Sequence, residues 1–315
     1  MLNELKGKVF PVLNEGHIVL MDCMGADQDV VQAARTSYQT GTVKVSDDRT
    51  LIRYLMRHRH TTPFESCQLK FHVKLPIFVE RQWARHRTAG WNEVSARYSE
   101  LPEEFYIPNV ENVRAQSKTN KQGRDEELSQ DVVANFIESS ARTARESFAE
   151  YHNYLEGDIA RELARISLPL STYTEKVWWM NLHNILHFLS LRMDSHAQKE
   201  IREYAIAMGE QIIAPLFPLV WEAFEDYRLG GLFLSRLDIE VIQNLRLESA
   251  KCVITRATKE DGHAFDPEDY MMTYSKTFFL SMNGIKQWEK LTKCRERDEC
   301  LEKLQRMGLI MKGEK

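Results

Sequence analysis

The 315-residue chain lacks any apolar run of the roughly 18 residues that would span a bilayer. Met1 to Lys6 carry no long apolar core, so no secretory signal peptide is expected there. Neither GxGxxG nor GxxxxGKS/T occurs, so no standard phosphate loop accounts for nucleotide binding. HExxH is missing as well, and no internal repeat or low-complexity stretch is evident. Cysteine is sparse: Cys23, Cys67, Cys252, Cys294 and Cys300 are scattered and form no CxxC pair. Reduced thiols in a cytoplasmic protein are therefore expected. Charge of one sign is not in excess either. With 42 Lys+Arg against 46 Asp+Glu the net charge is −4, which argues against nonspecific nucleic-acid binding by the chain as a whole.

What is present is ordinary for a soluble globular protein: 43% hydrophobic and 28% charged residues, with 10% aromatics that speak against disorder. The length suggests one or two domains and a core that needs no disulfides. His17 to Met21 reads as a strand, and Gln68 to Leu75 alternates as a half-buried one. Helical spacing marks 27–37, with Asp27 as its cap, and 47–59. Pro76 suits the first turn of a helix continuing over 77–86. Residues 87–98 read as a loop, and 109–125 as a polar, mobile stretch. A long amphipathic helix is expected over 131–155, ended by Gly157. An extended segment over 171–179 and helices over 180–193 and 198–213 follow, with a further short helix in 230–246. Few strands and several long helices suggest an α+β fold. The charged stretch 250–315 reads as a helical appendage ending in 285–307.

The densest polar feature is Arg81, Arg85, His86 and Arg87, followed by Trp91 to Tyr98 with Arg97. Four arginines fall within 17 residues among aromatics. Guanidinium forks bind phosphate bidentately, so the cluster suits phosphorylated ligands; a surface salt-bridge network is the plainer reading. Stacking on Trp83, Trp91 and Tyr98 in an RNA-binding module is a second alternative, and a metal-dependent nucleotide hydrolase on His58, His60 and His86 a third. His86 lies between two cations, which should lower its pKa. Asn181 and Arg192, eleven positions apart, would point within about 20° of each other on a mostly apolar helix starting at Met180. A cation there needs a partner, and a ligand in a cleft could be one.

Arg85-His86-Arg87, seven residues and then Ser95 resembles the RHR-x7-S signature of flavin-dependent thymidylate synthases. The fuller pattern RHRxxSxNExSxRY is met at Arg85, His86, Arg87, Asn92, Glu93, Ser95, Arg97 and Tyr98. Gly90 departs from it, standing where the family has Ser. His60 to Glu65, Ala164 to Pro169, and Asn181 to Arg202 resemble the family's other segments in order, with Ser66 in place of a His. The resemblance covers roughly residues 10–240 and leaves the tail unexplained.

The resemblance implies reductive methylation of dUMP to dTMP. 5,10-methylenetetrahydrofolate is the one-carbon donor, and NADPH the reductant of bound FAD. It implies a small sheet with several long helices, and a homotetramer whose subunits share active sites. Residues 1–249 would form the catalytic domain and 250–315 an extension; no metal, membrane or nucleic-acid partner is implied. Carried over by position, FAD would be met by His60, Thr62, Glu65, Arg85, His86, Arg87, Thr88, Asn181 and His187. The nucleotide dUMP would be met by Gln82, Glu93, Val94, Ser95, Ala96, Arg97, Arg165 and Arg192. Arg192 is the residue expected to polarise the uracil. Ser95 has the look of a nucleophile but no spaced base to activate it, so it is assigned to binding. None of the five cysteines lies in the motif, so the thiolate route to thymidylate is not expected.

Overall fold

The computed structural model describes residues 1–37, 48–118, 123–236, 238–240, 242, 303–304 and 306–307. The chain divides into two compact units, Met1–Gly231 and Leu232–Lys315. In the second, residues 236, 238–240 and 242 are helical, within the expected 230–246 helix. Most of 250–315 lies outside the described residues, including most of the helix expected over 285–307.

The first unit begins with a short helix α1 (Leu2–Leu5) and a hairpin of β1 (Val9–Val12) and β2 (Gly16–Met24). Helices α2 (Asp27–Arg35), α3 (Asp48–Arg57) and the single turn α4 (Thr62–Glu65) follow, then β3 (Gln68–Pro76) and α5 (Ile77–Trp83). After β4 (Gly90–Glu93), β5 (Arg114–Gln116) and β6 (Arg124–Glu127) come the 27-residue α6 (Gln130–Glu156) and the short α7 (Arg161–Ala164). The unit closes with β7 (Tyr173–Asn181), α8 (Leu182–Arg192), α9 (Lys199–Met208), α10 (Ala214–Leu216) and α11 (Pro218–Phe224). No described helix is long and apolar enough to cross a membrane.

Five strands form one antiparallel sheet in the order β1-β2-β3-β7-β4. The alternation in β3 does what its period of two dictates: Leu69, Phe71, Val73 and Leu75 are buried, while His72 and Lys74 lie on the other face. Ile18 and Leu20 of β2 and Trp178 and Met180 of β7 extend the same apolar surface, which α8 and α9 cover. Burying each such side chain contributes roughly 1.5–3 kcal/mol. Gly16 is required where Tyr204 reaches the sheet. The Tyr204 hydroxyl donates to the Lys74 carbonyl at 2.7 Å, and a Cβ at position 16 would fall 1.9 Å from that oxygen.

Four expectations are corrected. Residues 87–98 are not all loop, because Gly90 to Glu93 pair with β7 as its edge strand. Residues 109–125 hold β5 and the start of β6, which pair as a two-stranded sheet. Hydrophobic patterning could not reveal it, because ionic contacts hold it: Arg124 donates to both oxygens of buried Glu200 at 2.6 Å. Asp27 does not cap its own helix. Asp29 closes that first turn by accepting from the Ala26 N–H, and the buried Asp27 carboxylate accepts from Leu219 and Val220 N–H at the start of α11. Finally, α8 starts at Leu182, so Met180 and Asn181 end β7, and Asn181 caps the helix by accepting from Asn184 N–H at 2.9 Å.

Candidate active site

The sequence of α8 alternates buried and polar positions at helical spacing. Leu182, Ile185, Leu186, Phe188 and Leu189 face the core, while His183, His187 and Ser190 share another face at i, i+4 and i+7. Two pockets adjoin this helix and share Ser190. The larger, about 570 Å³, is lined by Gln82 from α5, Arg192 at the end of α8, and Asp194, His196, Ala197 and Gln198. The smaller, about 250 Å³, is lined by Arg59, His60 and Thr61 after α3, by His183 and His187, and by Arg228. Its floor is apolar, with Leu55, Phe64, Leu186 and Phe224.

Arg192 is fixed by an unusual partner. Its Nε donates to His86 Nε2 at 2.9 Å, across 106 positions of sequence. For His86 to accept there, Nε2 must lack a proton, so the neutral tautomer carries its proton on Nδ1. His86 is buried edge-on against Phe188 at 4.8 Å. Its pKa falls to about 4, chiefly because burial disfavours imidazolium and secondarily because of the Arg192 charge. The expected direction holds, but the main cause is desolvation, and the cations concerned are Arg192 and Lys176 in place of Arg85 and Arg87. Burial also lowers the pKa of Arg192. No described carboxylate pairs with Arg192, so its charge faces the pocket without internal neutralisation.

The same holds for the cluster at the end of α5. Arg81, Arg85, Arg87 and Arg97 are exposed, and none forms an ion pair with a described residue; Arg97 lies over the Tyr98 ring at 5.4 Å. The salt-bridge reading of this cluster is therefore not supported. Beneath it, Lys176 of β7 donates to Glu80 and sits 4.5 Å from the Trp83 ring centroid, fully buried. Burial draws Lys176 down to about 8 and pushes Glu80 up. Gln82 is held from behind: it donates to Gln198, whose amide donates to Glu200, itself fixed by Arg124 and by the Tyr106 hydroxyl at 3.1 Å.

The expected residues do not all converge within one chain. Gln82 and Arg192 line the larger pocket, and His60 and His187 the smaller. Thr62 and Glu65 lie in α4, beside the Thr61 and Phe64 that line the smaller pocket. Asn181 lies at the β7–α8 junction, with its Nδ2 donors lacking a partner among the described residues. Thr88 is exposed directly after the arginine-histidine run. Glu93, Val94, Ser95, Ala96 and Arg97 continue from edge strand β4 and line neither pocket. The Glu93 carboxylate accepts from the Thr174 hydroxyl at 2.8 Å. Ser95 Oγ accepts from Arg97 N–H at 3.4 Å, and no described imidazole is bonded to it. Arg165 is exposed in a 3₁₀ turn after α7. Sequence reasoning missed His183, Arg59, Arg228 and Gln198. The i, i+4 spacing of His183 and His187 was the available signal; Arg59 and Arg228 had none, being 169 positions apart.

Gly90, the departure from the expected pattern, has a steric reason. It pairs with Trp179 across β4–β7, and a Cβ there would lie 2.4 Å from the indole ring. His58 and His60 pack around Tyr54 at 4.4 and 5.7 Å, apart from His86, so the three histidines do not form one metal centre. Burial raises both described thiols, Cys23 to about 12. Neither of these two is a thiolate near neutrality.

Fold and site together define an α+β protein whose larger pocket, at the C-terminal end of α8, is faced by Arg192. Residues 19–219 match the family model described as thymidylate synthase complementing protein. A flavin-dependent thymidylate synthase of Gluconobacter oxydans is 52% identical over 237 residues, covering 74% of this chain and 78% of that protein. One from Treponema denticola is 52% identical over 239 residues, covering 76% and 90%. The crystal structure of a UMP/dUMP methylase PolB from Streptomyces cacaoi bound with 5-Br UMP superposes with a TM-score of 0.63 at 37% identity, covering 69% of this chain and 97% of that one. The chain thus belongs to the thymidylate synthase complementing protein family, and the resemblance read from its motifs is met.

Proposed function

We propose that this chain converts dUMP to dTMP by flavin-dependent reductive methylation, with 5,10-methylenetetrahydrofolate and NADPH as co-substrates. The observation that carries the reading is a set of cations without carboxylate partners among the described residues. Arg192 is held on neutral His86 at a pocket large enough for a nucleotide, and Arg85, Arg87 and Arg97 are exposed nearby in sequence. FAD and dUMP together bring three phosphates, which such arginines suit. The donor set fits FAD on its own chemistry: Arg85 and Arg87 for phosphate, Asn181 Nδ2, His60 and His187 for ring heteroatoms, with Thr62, Glu65, His86 and Thr88 beside them. FAD supplies the hydride chemistry when bound. The protein positions and stabilises. Gln82 and Arg192 orient the uracil, and Arg192 stabilises the negative charge that develops on it.

Glu93, Val94, Ser95, Ala96, Arg97 and Arg165 complete the dUMP site in this reading, and they do so from a second copy. The motivation is that they line neither pocket of their own chain. In this reading the protein is a homotetramer with shared active sites in the cytoplasm, as the family resemblance implies. Residues 1–249 form the catalytic domain and 250–315 an extension. The decisive experiment is release of the uracil C5 hydrogen as tritium from labelled dUMP by FAD-loaded protein, with dTMP appearing. Neither event, in protein that holds flavin, would overturn the reading.

A further inference from the structure

The side chains behind the larger pocket form a chain of hydrogen bonds whose polarity is set at one end. Glu200 is buried, and its carboxylate accepts from Arg124 at 2.6 Å on both oxygens and from the Tyr106 hydroxyl at 3.1 Å. Burial alone would raise its pKa. The Arg124 guanidinium, and the Gln198 amide after it, outweigh burial and hold the carboxyl below its usual range. An ionised carboxylate only accepts hydrogen bonds. The Gln198 atom 2.8 Å from it is therefore the amide nitrogen, which turns the Gln198 carbonyl toward Gln82.

The next link is fixed in the same way. The Gln198 carbonyl accepts, so the Gln82 amide nitrogen donates to it. This leaves the Gln82 carbonyl oxygen, to which no described residue donates. Gln82 and Arg192 line the pocket together. Arg192 supplies only donors, and the Gln82 carbonyl adds an acceptor beside them. An isolated glutamine offers a ligand either end of its amide. Here an ion pair between residues 76 positions apart, one of them buried, removes that freedom.

We propose that Glu200 and Arg124 are positioning residues that fix the Gln82 amide with its carbonyl toward the nucleotide, where it accepts a hydrogen bond from dUMP. The inference rests on the proposed activity. Two groups of dUMP share that donor chemistry, the imide N–H of the uracil and the 3′-hydroxyl of the sugar. The 3-methyl and the 2′,3′-dideoxy analogues of dUMP separate them. Binding to FAD-loaded protein is read by titration calorimetry, without turnover. In wild type, the analogue lacking the donor that Gln82 reads binds about tenfold or more weakly than dUMP. Glu200→Gln keeps a carbonyl for Arg124 and Tyr106 but points an NH2 at Gln198. Gln198 and Gln82 then turn over, an NH2 faces the nucleotide, and the preference for dUMP over that analogue falls to within about twofold. Gln198→Met breaks the chain without touching the buried carboxylate and lowers the same preference, so the test stands even where Glu200→Gln does not fold. A purely structural role for Glu200 would weaken dUMP and its analogues alike and leave their ratio unchanged. A wild-type ratio preserved in the variants therefore overturns the relay, as does a wild type that binds all three nucleotides equally. Wild-type protein that binds no dUMP overturns the proposed activity itself, a distinguishable failure.

Discussion

At the residue scale the informative contact is the one between Arg192 and His86. A guanidinium is normally matched by a carboxylate, which would cancel its charge; a neutral imidazole fixes its direction and leaves its charge intact. Arg192→Ala is expected to lower kcat/KM for dUMP by about 10²–10³-fold, as for loss of a donor aimed at developing negative charge. Tritium release measures this, and an unchanged Tm shows that the fold is retained; near-normal turnover would remove Arg192 from its assigned role. The pH dependence follows from His86, whose folded pKa is about 4 against an ordinary 6.5. Below pH 6.5 the unfolded chain takes up a proton that the folded protein refuses. The stability linked to neutral His86 is therefore complete above pH 6.5 and is lost as the pH falls toward 4, by roughly 3 kcal/mol at most. Urea unfolding of wild type and His86→Gln should converge over that window. A constant difference between them would mean that His86 titrates normally.

At the scale of elements, two substitutions probe how strands and helices are joined. Asp27 begins α2 yet serves α11, accepting from two N–H groups 192 and 193 positions away. Asp27→Ala should cost about 1–2 kcal/mol and Asp27→Asn clearly less, since the amide oxygen still accepts. Equal losses in denaturant unfolding would show that the carboxylate charge, not the cap, matters. Gly90→Ser, which restores the family's usual residue, should cost about 1–3 kcal/mol through collision with Trp179. Combining it with Trp179→Val should recover most of that loss, and strict additivity in the double variant would refute the steric coupling. Much at this scale was legible from sequence. The strict alternation of β3 and the 27-residue stripe of α6 need only local periodicity. Edge strand β4 and the β5–β6 pair were not legible, because polar strands at a sheet margin carry no apolar alternation. The dual use of Asn181, strand end and helix cap, made the helix look longer than it is.

For the whole molecule, the proposed sharing of sites between subunits has a direct consequence. Arg192→Ala and Arg97→Ala would each inactivate every site of a uniform assembly. Mixed after subunit exchange, they should regain a fraction of wild-type activity, because some sites would then draw Arg192 and Arg97 from two intact copies. No recovery, with exchange verified, would mean that each site is built from a single chain. A chain of residues 1–249 should likewise support thymidine-free growth of a thymidine-requiring strain. Loss of growth with the shortened protein still folded would assign the extension a part in catalysis.

The sequence by itself determined the family, the α+β class and most of the motif residues, because these depend on local periodicity and on a contiguous run of side chains. It also placed the −4 net charge and the arginine cluster on the same chain, so the average conceals a concentrated cationic centre. Tertiary structure decided which polar groups meet. Arg192 with His86, Asp27 with α11, Gln82 with the Gln198–Glu200–Arg124 chain, and Arg59 with Arg228 all join residues distant in sequence. No local pattern encodes such partners. Packing of the apolar faces brings those segments together, and the cost of burying an unpaired polar group then selects which contacts persist.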